Sequence, residues 1–237
     1  MAKNEKIGAK SDGKVSANEN IVTKTVTFFN KYQKIIYGVL IAILIVIFAI
    51  VAINRFYLKP KKERGSALIL KPIEQYTRGI QTGDTTAYII ALEGDEENDG
   101  FLSLISGYKM TGIANSSRYF AGLCYLQLGD LDEALNYLLK FKNKDEVYWY
   151  ACQMVIGDIY DQQEDDTQAI KYYKKAVKGD NPYYTPVALF KLGQMQEKAG
   201  NWREALDSYQ KIENSYYDQY LVMGVDRYLE RAKIKAQ

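Results

Sequence analysis

The chain has 237 residues, enough for one or two domains, and its 47% hydrophobic and 25% charged composition is that of a folded protein. Histidine is absent, which excludes His-based triads, His general bases and His metal ligands together. The formal charge of +2 conceals an asymmetry: residues 1–64 hold twelve Lys/Arg against four Asp/Glu, and the remainder hold nineteen against twenty-five.

In chain order, "MAKNEKIGAKSDGKVSANEN" has no apolar periodicity, and residues 1–25 are expected to be a disordered, lysine-bearing tail. Residues 26–58 follow as an amphipathic lead-in, "VTFFNKYQKII", and a transmembrane helix. The apolar stretch "IIYGVLIAILIVIFAIVAI" (35–53) carries no charge. At about 1.5 Å per residue it spans close to the ~30 Å hydrocarbon core of a bilayer. A cleaved signal peptide has a shorter apolar core, a shorter leading region and small residues at its cleavage site. A single uncleaved anchor is therefore expected, with Tyr32, Tyr37, Phe56 and Tyr57 near the two interfaces. Charge leaves its orientation open. Near the membrane, Arg55, Lys59, Lys61, Lys62 and Arg64 outweigh Lys24, Lys31 and Lys34, whereas over the whole flank the N-terminal side leads by seven to five.

Pro60 and Pro72 each disfavour helix in the residue before them, so the membrane helix is expected to break or kink there. Residues 61–116 read as a degenerate first helical hairpin or adaptor. Within them "DEENDG" (95–100) imitates the opening of a calcium loop, but the twelfth position, where a bidentate Glu is required, is Ser106. An acidic solvated loop is the expectation.

Beyond this point the sequence repeats itself. "YLQLGDLDEALNYL" (125–138), "IYDQQEDDTQAIKYY" (159–173) and "MQEKAGNWREALDSY" (195–209) share one grammar: a helical stretch, a polar turn, and an alanine opening a second helix. Gly122, Gly157 and Gly193 stand twelve residues before Ala134, Ala169 and Ala205, at successive spacings of 35 and 36. Glycine inside a helix costs about 1 kcal/mol relative to alanine. Its recurrence implies close helix approach, with the alanines as the small partners on the returning helix and Tyr173 and Tyr209 as wedges. Asp132-Glu133 and Asp165-Asp166 fall where they favour the start of each second helix. Cys124 and Cys152 fall in apolar stretches of adjacent repeats and are expected as buried free thiols. No Walker loop, nucleophile elbow or dinucleotide fingerprint occurs, so no catalytic residue, metal or cofactor is expected. "QYLVMGVDRYLERAKIKA" reads as a capping helix within 218–237, its basic last turn suited to the helix dipole.

The period resembles that of the tetratricopeptide-repeat family, near 34 residues. The family pattern maps onto Ala121-Gly122-x2-Tyr125…Ala134-x3-Leu138, Ile156-Gly157-x2-Tyr160…Ala169-x3-Tyr173 and Leu192-Gly193-x2-Gln196…Ala205-x3-Tyr209. The opening Trp is replaced by Arg118, Gln153 and Leu189, and the closing Pro is missing. The fold expected is all-α: one transmembrane helix, then an α-solenoid with three repeats over 117–217. By analogy with the family, the first helix of each repeat lines a concave partner-binding groove. Its inward positions would be Tyr119, Leu123 and Leu126, then Met154, Asp158 and Asp161, then Phe190, Gln194 and Glu197. That groove would be apolar at one end and acidic further along, suiting a partner segment with apolar and basic residues.

A second resemblance concerns architecture. A lysine-bearing tail, Phe28-Phe29 and Lys34 before one anchor, then tetratricopeptide repeats, resembles the ancillary SecYEG translocon subunit (YfgM-like) family. "GFLSLISGYKMTGIANSSRYFAGLCYLQLGD" (100–130) is also similar to the opening of repeats in bacterial envelope proteins of this kind. The resemblance implies a bacterial inner-membrane protein with its N-terminus cytoplasmic and its repeats periplasmic. It implies a non-enzymatic adaptor linking a Sec-type translocon to periplasmic chaperones or secreted clients, with no nucleic-acid partner. Two rivals stand beside it: a scaffold of another envelope complex, and a cytoplasm-facing receptor-like repeat protein.

Overall fold

The computed structural model describes residues 12–109, 111–142 and 146–237. The chain divides into two compact units, parted between Lys59 and Pro60. Apart from one isolated bridge, between Gly94 and Asp99, the described residues form helices and turns.

The first unit is dominated by helix α1 (Asp12–Ala52), which passes into a π-helical turn, Ile53–Leu58. Lys31–Phe56 is long and apolar enough to cross a membrane, with a mean hydropathy of 3.2 and none of its apolar window buried. A helix apolar all round and exposed all round suits a lipid solvent. Of the expected disordered tail, residues 1–11 lie outside the described residues, whereas from Asp12 the chain is helical. Extending an existing helix adds one bond per residue fixed and needs no new nucleus, so weak formers can join it. The break expected at Pro60 takes another form. Pro60 cannot donate to the carbonyl four residues back, and just before it the register widens, with Lys59 N–H bonded to Asn54 O. The chain remains helical through α2 (Lys59–Leu68). Pro72 does not interrupt α3 (Leu70–Thr82), because it stands in the first turn, where the missing N–H has no intrahelical partner to lose.

In the second unit, the region expected to be one hairpin supplies two helix pairs. α3 turns through Gly83 (φ +71) into α4 (Thr85–Glu93), capped by the Asp84 side chain. After the Gly94–Asp99 turn, α5 (Phe101–Gly107) packs on α6 (Gly112–Gln127), where Phe101 stacks on Phe120 with centroids 5.5 Å apart. α6 is shared, since it is also the first helix of the first repeat, paired with α7 (Leu131–Leu138). α8 (Glu146–Gln162) pairs with α9 (Asp166–Ala176), and α10 (Tyr184–Lys198) with α11 (Trp202–Ser215). The expected single capping helix is two: α12 (Tyr217–Met223) ends at Gly224 (φ +60), and α13 (Asp226–Lys235) packs back on α11. Gly224 takes the left-handed conformation that ends a helix at least cost.

Candidate partner-binding surface

The three repeats share a close crossing. A Cβ on Gly157 would lie 2.7 Å from the ring of Tyr173; one on Gly122 would strike the Leu138 side chain, and one on Gly193 the Tyr209 ring. The glycines therefore admit the large residue four places after each alanine. Ala134, Ala169 and Ala205, the small partners expected on the returning helix, are fully buried. The Ala134 carbonyl stands 3.2 Å from a Cβ on Gly122, while the atoms nearest a Cβ on Gly157 and Gly193 belong to the tyrosine rings.

Three residues beyond each glycine the helices meet again. Tyr125 stacks on Tyr137 and Tyr160 on Tyr172, both at 5.4 Å between centroids. In the third repeat the same positions hold Gln196 and Ser208, and a 2.7 Å hydrogen bond from the Ser208 hydroxyl replaces the stacked rings. The departure at Gln196 is thus matched by a change in its partner.

The turns follow the same logic. Gly129 and Gly200 adopt positive φ, and the equivalent residue of the second repeat, Glu164, does so with φ +60. Asp130 and Asp165 cap α7 and α9 by accepting from the backbone N–H of Glu133 and Gln168. Asn201 makes no such bond at α11.

The nine residues expected to line a groove are all half-buried, but they do not form one open surface. Tyr119 packs among Phe120, Phe141 and Tyr148, with ring centroids 5.2–6.0 Å away, and burial holds its hydroxyl protonated far above the usual tyrosine range. Leu126 flanks the core of the first two repeats, and Met154 that between the second and third. Asp158 accepts a 2.7 Å hydrogen bond from the Tyr173 hydroxyl and pairs with Lys191 at 2.8 Å, so its charge is already matched across two repeats. Phe190 lies edge-on to Tyr228 of α13 at 4.8 Å, and Glu197 is held by Arg231 of the same helix. The capping helices thus cover the third-repeat end, and the acidic character expected there is largely neutralised. Leu123, Asp161 and Gln194 remain half-exposed, and the Asp161 charge acts on Lys198 and on the Tyr173 hydroxyl.

One recess opens beside Tyr119. It has a volume of about 270 Å³ and is walled by Ile69, Ile73, Ile113, Tyr119, Phe120, Phe141 and Tyr148, with Ser66 and Ser116 as further polar groups. Among the described residues its walls carry no charge, so it suits an apolar or aromatic group of a partner. Period-based reasoning found Tyr119 alone. Ile69 and Ile73 come from the segment before the repeats, and Phe141 and Tyr148 from the joint between two of them. The available signal was an unusual density of aromatics around 119–150, which the repeat pattern does not require.

The remaining candidates are structural. Asp95 of the calcium-like loop accepts from the backbone N–H of Glu97 and Asn98 and from the Asn98 amide, which closes the turn. These bonds, the Asn98 side chain's foremost, hold its carboxyl below the usual range. Among the described residues no group of His, Cys, Asp and Glu is arranged to hold a metal. Cys124 and Cys152 are free and buried, and burial pushes both thiols up to about 12.

Residues 116–142 and 150–181 match one tetratricopeptide-repeat family model, and residues 187–216 match a second. No curated protein matches the chain.

Proposed function

Taking as premise that residues 116–216 are tetratricopeptide repeats, modules of protein–protein interaction, we propose that this chain is a non-enzymatic adaptor. In this reading α1 anchors it in a bacterial inner membrane with the N-terminus cytoplasmic. The repeat domain is periplasmic and links a Sec-type translocon to chaperones or secreted clients. The observation that carries the binding role is the recess beside Tyr119, with its open mouth and its apolar and aromatic walls. The membrane reading is supported by the length and hydropathy of Lys31–Phe56. The Sec-linked role rests on the architectural resemblance.

A photo-crosslinking residue at Tyr148, on the rim of the recess, is expected to capture translocon subunits or periplasmic chaperones in intact cells. The same residue at Leu221, on α12, serves as a comparison. Capture of division or outer-membrane assembly proteins instead would favour the scaffold rival. Protease protection of the repeat domain in intact spheroplasts would favour the cytoplasm-facing one. Tyr119→Ala is expected to weaken the interaction by about 1–3 kcal/mol, as removal of an aromatic anchor does. Phe190→Ala is a poor binding probe, because Phe190 belongs to the packing beneath α13.

A further inference from the structure

The end of the domain remote in sequence from the recess carries a different surface. On α9, Lys171, Lys174 and Lys175 follow one another at helical spacing, and Lys178 stands in the turn just beyond the helix end at Ala176. Lys175 lies over the Tyr172 ring at 3.9 Å and Lys171 donates to Gln168. Among the described residues the ion pairs engage other cations, namely Lys71, Arg78, Lys191, Lys198, Arg231 and Lys233. The α9 lysines are thus held together without a carboxylate to balance them, although like charges at this spacing repel. Lys178 also meets Lys211 of α11 around an open recess of about 760 Å³, whose one carboxylate, Asp180, is bonded by the Tyr216 hydroxyl at 2.9 Å.

Tyr216 leads directly into α12, and α12 buries none of its residues. Tyr217, Leu221 and Val222 are 59%, 60% and 82% exposed. Apolar side chains this exposed, beside a basic patch, are the two components of a surface that rests on anionic lipid: lysines for the headgroups, apolar residues for the acyl boundary. An acidic protein segment would engage the lysines and leave the apolar residues unexplained. Residues 65–237 carry nineteen basic and twenty-five acidic residues, so an anionic surface repels the domain as a whole. In this part Lys171, Lys174, Lys175, Lys178 and Lys211 stand against the exposed carboxylates Asp180 and Asp218.

We propose that Lys174, Lys178 and Lys211, together with Tyr217, Leu221 and Val222, form a docking surface for an anionic bilayer. The inference rests on the reading that α1 spans a membrane. A tethered domain sees the bilayer at high effective concentration, so individually weak contacts become populated.

The test uses the full chain in nanodiscs of phosphatidylcholine alone and of phosphatidylcholine with phosphatidylglycerol. Amine acylation at Lys174, Lys178 and Lys211 is expected to slow several-fold in the anionic discs and to recover in high salt. Lys71 and Lys233, each paired on its own helix, should not respond. Hydrogen exchange in α12 of the unaltered chain should slow in parallel, a readout that no folding defect can imitate. Leu221→Asp with Val222→Asp should abolish the protection at an unchanged melting temperature. Equal acylation in both discs overturns the proposal. So does protection that requires two chains per disc, which assigns the surface to a second copy, or protection by an acidic polypeptide but not by lipid. Release of the chain from vesicles by alkaline carbonate would bring down the anchor reading itself. Retention without protection would bring down this inference alone.

Discussion

At the scale of single residues, the same position can be tested in more than one repeat. Gly157 faces the Tyr173 ring, which is pinned at its far end by Asp158, so the ring cannot swing aside freely. Gly157→Ala is therefore expected to overpack the crossing and cost about 1–3 kcal/mol. Gly112→Ala is the control: its Cβ would meet nothing within 4 Å, and it should be neutral or slightly stabilising. Equal melting temperatures for the two variants would remove the close-crossing account. Glu164 offers the opposite sign. It stands at φ +60 where Gly129 and Gly200 stand in the neighbouring repeats. The left-handed conformation costs an L residue roughly 1–2 kcal/mol, so Glu164→Gly should raise stability by about 1 kcal/mol. A loss on denaturant melting would mean that the Glu164 side chain contributes more than its backbone costs.

At the scale of elements, the second helices of the three repeats differ in how they begin. α7 and α9 are capped by Asp130 and Asp165, whereas α11 begins at Asn201 without a side-chain cap. Asp165→Ala should cost about 1 kcal/mol, and Asn201→Asp should contribute a few tenths to about 1 kcal/mol through the cap and the helix dipole. Exchange of the α11 amides would show the second effect directly: unchanged protection at its first turn would mean that the local backbone prevents the cap. These helices were legible in the sequence because the glycine-to-alanine spacing of twelve is a local constraint imposed by each hairpin on itself. The α3–α4 hairpin was harder to see. Its Gly79 lies against Tyr88 only nine residues on, a shorter version of the same packing that no 35-residue period reveals. The split of the C-terminal cap at Gly224 was written in one glycine within an otherwise helical run, a weak signal by itself.

At the scale of the whole molecule, the repeat array was legible, while the groove was only partly so. A solenoid period says which residues are equivalent, but not which of them a neighbouring element has already engaged. Asp158, Phe190 and Glu197 hold positions that analogy assigns to binding, yet Lys191, Tyr228 and Arg231 occupy them. The recess at Tyr119 depends on residues from 66 to 148 that no period relates. The buried thiols between these layers give a test of packing that needs no partner. Burial moves Cys124 and Cys152 from an ordinary value of 9.0 up to about 12, because the low-dielectric interior disfavours the thiolate. Below pH ~9 the folded and unfolded chains both keep these protons, and the thiols give stability no pH dependence. Above it the unfolded chain releases them and the folded chain does not, so stability falls by about 1.4 kcal/mol per pH unit for each thiol until the folded groups titrate. Buried tyrosines such as Tyr173, also shifted upward by burial and by Asp158, steepen the fall at higher pH. Melting temperatures should therefore hold nearly level from about pH 7 to about pH 9 and then decline. Cys124→Ala with Cys152→Ala should be less stable at neutral pH, through the lost packing, but should decline less steeply above it. Parallel alkaline slopes for the two proteins would show that the thiols ionise as readily in the fold as outside it, which packing between the repeats does not permit.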